Sequence, residues 1–360
     1  MKRVSTKDLV PGMVTAEDVY TYNNQLILPK GLVLTDKSIT KLEFYSIINV
    51  RIDDSVPTED IPEVEIGPDA SYSEKIKSSP QFKEFKVRFD KEIPKFRGIL
   101  DSVVQDGEDL DSENIMGCID TILESNDGYL NVFDMLHNLR QYDDATYVHS
   151  INVALICNVF ARWLKMTEEE TKLATMAGLL HDIGKITVPG EVMSKPDKLT
   201  ANEYTVVKKH TLEGYNLLRK FNLPEEVVNS ALMHHERCDG TGYPFGIRNS
   251  KIDSYAKMVA IADVYDAMTC ARIYRGPLCP FKVIEVFESE GLQKYDTRFI
   301  MTFLENIVNT YMLHRVRLSD GRTGDVVFIN RSSLARPTIK CGDTFVDLSI
   351  EPKLSIEEII

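Results

Sequence analysis

The sequence predicts a mainly α fold, a helical bundle with a small β-rich appendage at each end. Three observations carry this. Apolar residues recur at helical spacing between Gly and Pro punctuation from His149 to about Thr310. Both ends switch to period-two alternation with turn dipeptides. Five of the seven histidines lie inside the helical part.

The first unit, residues 1–53, alternates short β-like runs with turns: VTAEDVY, NNQLILPKGLVL, a helical TDKSITKLEFYS, then IINVRI. It reads equally as a ligand- or partner-binding module and as a packing or dimerisation module, which leaves a homodimer open. Residues 54–71 are rich in Pro, Asp and Glu and read as an exposed linker. Residues 72–140 form a charged helical segment whose spaced apolar residues imply helices solvated on one face. Residues 141–314 hold the helical core, with runs such as INVALICNVFARWLK and AKMVAIADVYDAMT. The C-terminal extension, 315–360, returns to β alternation around Asp-Gly and Gly-Asp turns.

Length and composition exclude several classes. With 360 residues, 43% hydrophobic and 27% charged, the chain is an ordinary globular one with ample length for a core. A net charge of −13 argues against binding nucleic acid polymers or acidic membranes, although local cations or metals can reverse the field inside a cleft. The start lacks a secretory apolar region, and no apolar stretch reaches membrane-spanning length. The six cysteines form no CxxC pair, as expected of reduced thiols. A cytoplasmic location is the expectation. No P-loop is present, and the glycines of DGTGYPFG follow a helix at the wrong spacing for a dinucleotide fold.

The functional signal is the histidine series. His149, the His181 and Asp182 pair, His210, the His234 and His235 pair, and Asp263 recur at roughly 25 to 30 residues, about one helix plus one connection. A bundle can therefore aim one ligand per helix at a shared interior point. A lone histidine on an apolar helix is usually a satisfied core residue, and that reading stands for His137 and His314. The clustering is what argues for ligands. In TKLATMAGLLHDIGK, Leu173, Met176, Ala177 and Leu180 define a buried stripe that ends at His181 and Asp182, just before Gly184 as helix stop. A buried imidazole and carboxylate need partners, and a divalent metal satisfies both. Pro224 suits the first helical position of the next helix, and the adjacent His234 and His235 diverge by about 100° on a helix, enough to serve two different ions. Asp263 and Asp266 share a face. Nitrogen and oxygen donors without thiolate favour iron, manganese or a similar metal, and their number implies two ions of the kind that drive phosphoester hydrolysis.

These residues resemble the HD-GYP subgroup of HD-domain phosphohydrolases. The matching text is HDIGK (181–185), KPDKLT (195–200), His210, HHERCDGTGYP (234–244), IADVYDAMT (261–269) and ARIYR (271–275). The resemblance implies an HD-domain bundle that hydrolyses cyclic di-GMP by way of linear pGpG, with the stopping point at pGpG or GMP left open. It implies that His149, His181, Asp182, His210, His234, His235 and Asp263 bind metal, with Asp182 bridging. It implies that Lys185 lies near the reacting phosphate, where its compact cation suits a nonbridging oxygen. Arg272 and Arg275 resemble ligand-phosphate contacts. Asp266 is assigned to the substrate side rather than to metal, and Gly242, Tyr243 and Pro244 form an edge facing substrate or a protein partner.

Some members bind a third metal through a glutamate four residues before the equivalent of His149. Here that position is Ala145, with Asp143 and Asp144 out of register. The expectation is two divalent ions, iron or manganese, and attack by a metal-bridging hydroxide with Asp182 and Lys185 as catalytic groups. Two other readings remain open: a non-catalytic cyclic-dinucleotide receptor or scaffold, and a hydrolase of another cyclic dinucleotide or phosphorylated nucleotide.

Overall fold

A computed structural model describes residues 2–6, 9, 10, 12–20, 26–34, 38, 39, 42, 47, 49–53, 72–124, 132–139, 145–193, 195, 200–269 and 278–360. The expected linker at 54–71 lies outside the described residues, as does most of the expected N-terminal helix at 35–46. The chain forms two compact units, one of residues 1–80 with 311–360 and the other of residues 81–310.

In the first unit, β1 (Lys2–Ser5) pairs antiparallel with β4 (Asn49–Ile52), and β2 (Val19–Tyr20) with β3 (Leu26–Leu28). Val4, Leu9, Val19, Leu34, Leu42, Val50 and Ile52 close a small apolar core. Helix α1 (Tyr72–Ser78) follows. The C-terminal strands β5 (Arg315–Leu318), β6 (Thr323–Phe328), β7 (Thr338–Cys341), β8 (Thr344–Asp347) and β9 (Ile356–Ile359) form an antiparallel sheet of order β8-β7-β6-β5-β9. Their burial alternates, as in Val316 and Leu318 inward with Arg317 outward, which is what the period-two pattern implied.

The second unit is helical. Helix α2 (Pro80–Asp101) buries Phe82, Phe85, Phe89, Ile93, Phe96 and Leu100, one stripe at spacing three or four. Its outer face carries exposed pairs such as Lys86 with Asp90, worth only a few tenths of a kcal/mol each. The Asp111 side chain caps α3 (Ser112–Leu123) by accepting from the N–H groups of Glu113 and Asn114. Then come α4 (Val132–Asn138), α5 (Ala145–Trp163) and α6 (Glu168–Leu180). A reciprocal Thr167–Glu170 capping box starts α6, and three glutamates in its first turn favour the positive end of the helix dipole.

A 3-10 turn (Ile183–Thr187), α7 (Gly190–Met193), α8 (Ala201–Lys208), α9 (His210–Leu218), α10 (Glu225–Met233), α11 (Ser254–Thr269), α12 (Pro280–Val286), α13 (Leu292–Lys294) and α14 (Thr297–Thr310) complete the unit. Helices α5 and α11 are apolar nearly all round and are correspondingly buried. Phe133, Phe160, Trp163, Tyr265 and Phe303 pack ring against ring beside them. Each fully buried phenylalanine contributes roughly 1.5–3 kcal/mol. This rigid centre holds the polar residues that α5 and α11 carry. No helix among the described residues is long and apolar enough to cross a membrane.

Candidate metal centre

Five segments deliver the site. His149 comes from α5, His181 and Asp182 from the end of α6, His210 from the start of α9, and His234 and His235 from the end of α10. Asp263 and Asp266 come from α11. The α6 helix closes at Leu180, and Asp182 turns out of it with φ −103° and ψ 9°. Gly184 is not the left-handed stop expected from the sequence. It is needed for closeness: a Cβ there would lie 2.0 Å from the His210 carbonyl oxygen. Pro224 caps α10 rather than opening it, one residue from the expectation.

His181, Asp182, His210 and His234 are buried, while His235 and Lys185 keep 17% of their side chains exposed. The site therefore has a closed floor and an accessible rim. The Asp182 carboxylate oxygens lie 3.2 Å from His181 Nε2, 3.3 Å from His210 Nε2 and 3.6 Å from both His149 Nε2 and His234 Nε2. Lys185 donates to the same carboxylate. Three histidines are fixed in one tautomer by their other nitrogen. His181 Nδ1–H donates to the Gly178 carbonyl at 2.7 Å, His210 to Val207 at 2.6 Å, and His234 to Ser230 at 3.0 Å. Each bond turns an Nε2 lone pair toward Asp182.

That arrangement fits a divalent cation. His210 Nε2 and His234 Nε2 face each other at 3.3 Å, two lone pairs that repel unless a cation lies between them. The buried His181 Nε2 and Asp182 Oδ1 have no aligned hydrogen-bond partner despite their short separations from charged neighbours. Two sets of ligand atoms, each within 4.8 Å, overlap at one residue: Asp182, His210, His234 and His235 in one, His149, His181 and Asp182 in the other. Both His234 and His235 fall in the first set, which favours one ion for the pair over the two different ions expected from the sequence. His235 lies beyond the last turn of α10, where the helical step of about 100° no longer holds.

Asp263 accepts from His149 Nε2 at 3.0 Å and lies 3.7 Å from His235 Nδ1, within reach of both sets. Asp266 is buried behind His149, accepting from its Nδ1 at 2.6 Å and from Asn152 Nδ2 at 3.0 Å. It is thus on the inner side of the site, not on the substrate side to which the sequence assigned it. Arg272, Arg275, Asp143 and Asp144 lie outside the described residues, as do positions 196–199 of the KPDKLT stretch.

Electrostatics follow from burial and pairing. Burial holds His210 down at about 4 and pushes His234 and His235 below the ordinary imidazole value. At His149 burial works the other way from its partners, and hydrogen bonds to Asp263 and Asp266 outweigh it, lifting the pKa to about 9. Burial likewise opposes charge on Asp182 and Asp263. The electrostatic pull of the neighbouring His181 and Lys185 side chains at the first, and the His149 hydrogen bond at the second, still hold both well below the usual carboxylate range.

The sign of the pH dependence follows for metal-free protein. The three depressed histidines and two depressed carboxylates bind fewer protons folded than unfolded, so their stabilisation is lost as pH falls. His149 binds more, so its contribution is full below its unfolded value and lost as pH rises through about 9. The melting temperature of chelated protein should peak at about pH 6.5, falling steeply toward 4 and gently toward 9. A flat profile measured by thermal denaturation across that range would contradict this assignment.

The loop after α10 is built against the rim. Glu236, buried, accepts from Phe245 N–H at 2.8 Å and from Ile247 N–H at 3.1 Å. Asp239 Oδ1 accepts from the backbone and hydroxyl of Thr241. Gly242 lies so close to the preceding chain that a Cβ would sit 2.4 Å from Arg237 N. These contacts set the Tyr243 ring 4.6 Å from the His235 ring. Pro244 follows it, half-buried on the same loop. Asn152 is the functional neighbour that sequence reasoning missed, whereas Glu236, which the sequence offers as a turn-holding or supporting group, holds the loop. The partners of Glu236 lie nine and eleven residues ahead in an irregular loop, and no periodicity marks such a bond.

A helix-end histidine–aspartate pair joined by histidines from neighbouring helices, inside an all-α unit, defines an HD domain. Residues 134–299 match the family model described as HD domain. The chain is similar to the HD-GYP group of HD-domain proteins. It is 34% identical over 235 residues to a cyclic di-GMP phosphodiesterase of Pseudomonas aeruginosa, covering 65% of this chain and 56% of that protein. It is 35% identical over 169 residues to the 3'3'-cGAMP-specific phosphodiesterase 1 of Vibrio cholerae, covering 47% of this chain and 39% of the relative. The chain thus spans about half the length of these relatives or less. An HDG"Y"P protein from Bdellovibrio bacteriovorus shares the fold at TM-score 0.50 and 18% identity, over 85% of this chain and 99% of that one.

Proposed function

We propose that the protein is a metal-dependent phosphodiesterase that hydrolyses cyclic di-GMP to pGpG and onward to GMP. The observation that carries this is the pair of nitrogen and oxygen ligand sets sharing Asp182. Two divalent ions, iron or manganese, would supply an activated water and offset charge on the attacking and leaving oxygens. The five histidines, Asp182 and Asp263 would hold such ions. Lys185, mostly buried beside Asp182 but open at the rim, is placed to donate to a nonbridging phosphoryl oxygen. The buried floor excludes water, and the substrate enters over Tyr243 and Pro244. The intact ligand set favours this over a non-catalytic receptor.

The relative specific for 3'3'-cGAMP supports a second reading, in which another cyclic dinucleotide is the preferred substrate. The test is an anaerobic assay with product identification over a panel of cyclic dinucleotides. Turnover should vanish with chelator and return with manganese or iron. No turnover of any of them with either metal would end the proposal.

Asp266 acts in this scheme as a positioning residue, orienting His149 through Nδ1. Asp266→Asn keeps the shape and removes the charge. It should weaken metal binding or turnover by about 10–100-fold, read by metal titration alongside steady-state rates. Wild-type metal affinity in that variant would show the contact to be merely structural.

A further inference from the structure

Beside the rim lies a group of residues that the metal centre does not use. Tyr204 on α8 is exposed although aromatic, and α8 buries none of its residues. Its ring stands edge-on to Tyr243 at 6.4 Å, and Tyr243 in turn lies against His235. The Lys208 ammonium sits 5.2 Å from the Tyr204 ring centre and 5.8 Å from that of Tyr243. No carboxylate among the described residues pairs with Lys208. An exposed ring, a second ring against His235, and a cation near both make a platform that adjoins the candidate metal centre.

We propose that Tyr204, Lys208 and Tyr243 form a base-binding subsite that selects guanine over adenine. This rests on the reading of the site as a cyclic dinucleotide phosphodiesterase. Tyr204 supplies a face on which a purine stacks, an interaction worth about 1–3 kcal/mol per base and indifferent to base identity. Selection comes from Lys208. Its ammonium only donates. Guanine presents two adjacent acceptors, O6 and N7, whereas adenine presents N7 beside a donor amino group. The lysine therefore gains a second acceptor with guanine and meets a donor with adenine.

The test measures rapid-mixing binding and steady-state turnover of cyclic di-GMP, 3'3'-cGAMP and cyclic di-AMP on manganese-loaded protein. Lys208→Met should weaken cyclic di-GMP by about tenfold and cyclic di-AMP by less than about twofold, in KM rather than kcat. Lys208→Arg should restore the preference, and Tyr204→Leu should weaken all three alike. Equal weakening in Lys208→Met, or a loss in kcat alone, overturns the subsite. Binding with the expected lysine dependence but no turnover would remove the phosphodiesterase reading and leave the subsite standing. Turnover with an unchanged base preference would do the reverse. If none of the three binds, both fall.

Discussion

Asp182→Ala is expected to keep the helical fold and lose at least about a thousandfold in turnover, a larger effect than removing a single stabilising donor elsewhere. Among the described residues the carboxylate is the one group within 3.6 Å of four imidazole nitrogens, and it belongs to both ligand sets. Its removal leaves the imidazoles around a gap, with no carboxylate shared by the two ligand sets and no anion directly beside Lys185. Asp182→Asn separates size from charge, and it should fail nearly as badly because an amide offers one weak acceptor and a competing donor. Metal content per chain should fall with activity in both variants, while far-UV circular dichroism stays unchanged. Either variant retaining metal and turnover within tenfold of wild type would remove Asp182 from the centre of the mechanism.

Gly184→Ala is expected to act through the backbone. The new methyl would lie 2.0 Å from the His210 carbonyl oxygen and 2.6 Å from the Gly214 nitrogen, and neither can rotate away. The 3-10 turn and α9 must separate. That costs about 3 kcal/mol or more, at the upper end of overpacking effects because backbone opposes the methyl. The same movement pulls His210 Nε2 from its 3.3 Å approach to Asp182. A melting temperature lower by roughly 5–10 °C, with weaker metal binding, is the expected outcome. Gly117→Ala in α3 is the control, since a Cβ there meets nothing within 4 Å. It should be neutral or slightly stabilising. Equal behaviour of the two variants would show that the close approach at Gly184 is not under constraint.

How much of this was legible beforehand differs from residue to residue. The helical core, the β ends and the identity of the clustered histidines are visible in periodicity, turn chemistry and spacing. So is the end of α6 at the His181–Asp182 pair, because an apolar stripe stops there. The roles of Gly184 and Asp266 were not legible. A glycine after a helix reads as a left-handed stop unless the opposing backbone is known. Asp266 shares a helical face with Asp263, and only the position of α5 decides that one carboxylate reaches the centre while the other braces His149 from behind. The divergence of His234 and His235 depended on α10 continuing, and the helix ends first.

The sequence by itself determined which side chains are candidates for the chemistry and that helices present them, since propensity, capping and apolar spacing act within a few residues along the chain. Only the tertiary structure decided which of them meet. The His149 contacts with Asp263 and Asp266 span 114 and 117 residues, and the Glu236 grip on its loop depends on an irregular backbone path. Such pairings are set by how buried helices pack against one another, and packing is a property of surfaces that no local stretch of sequence contains.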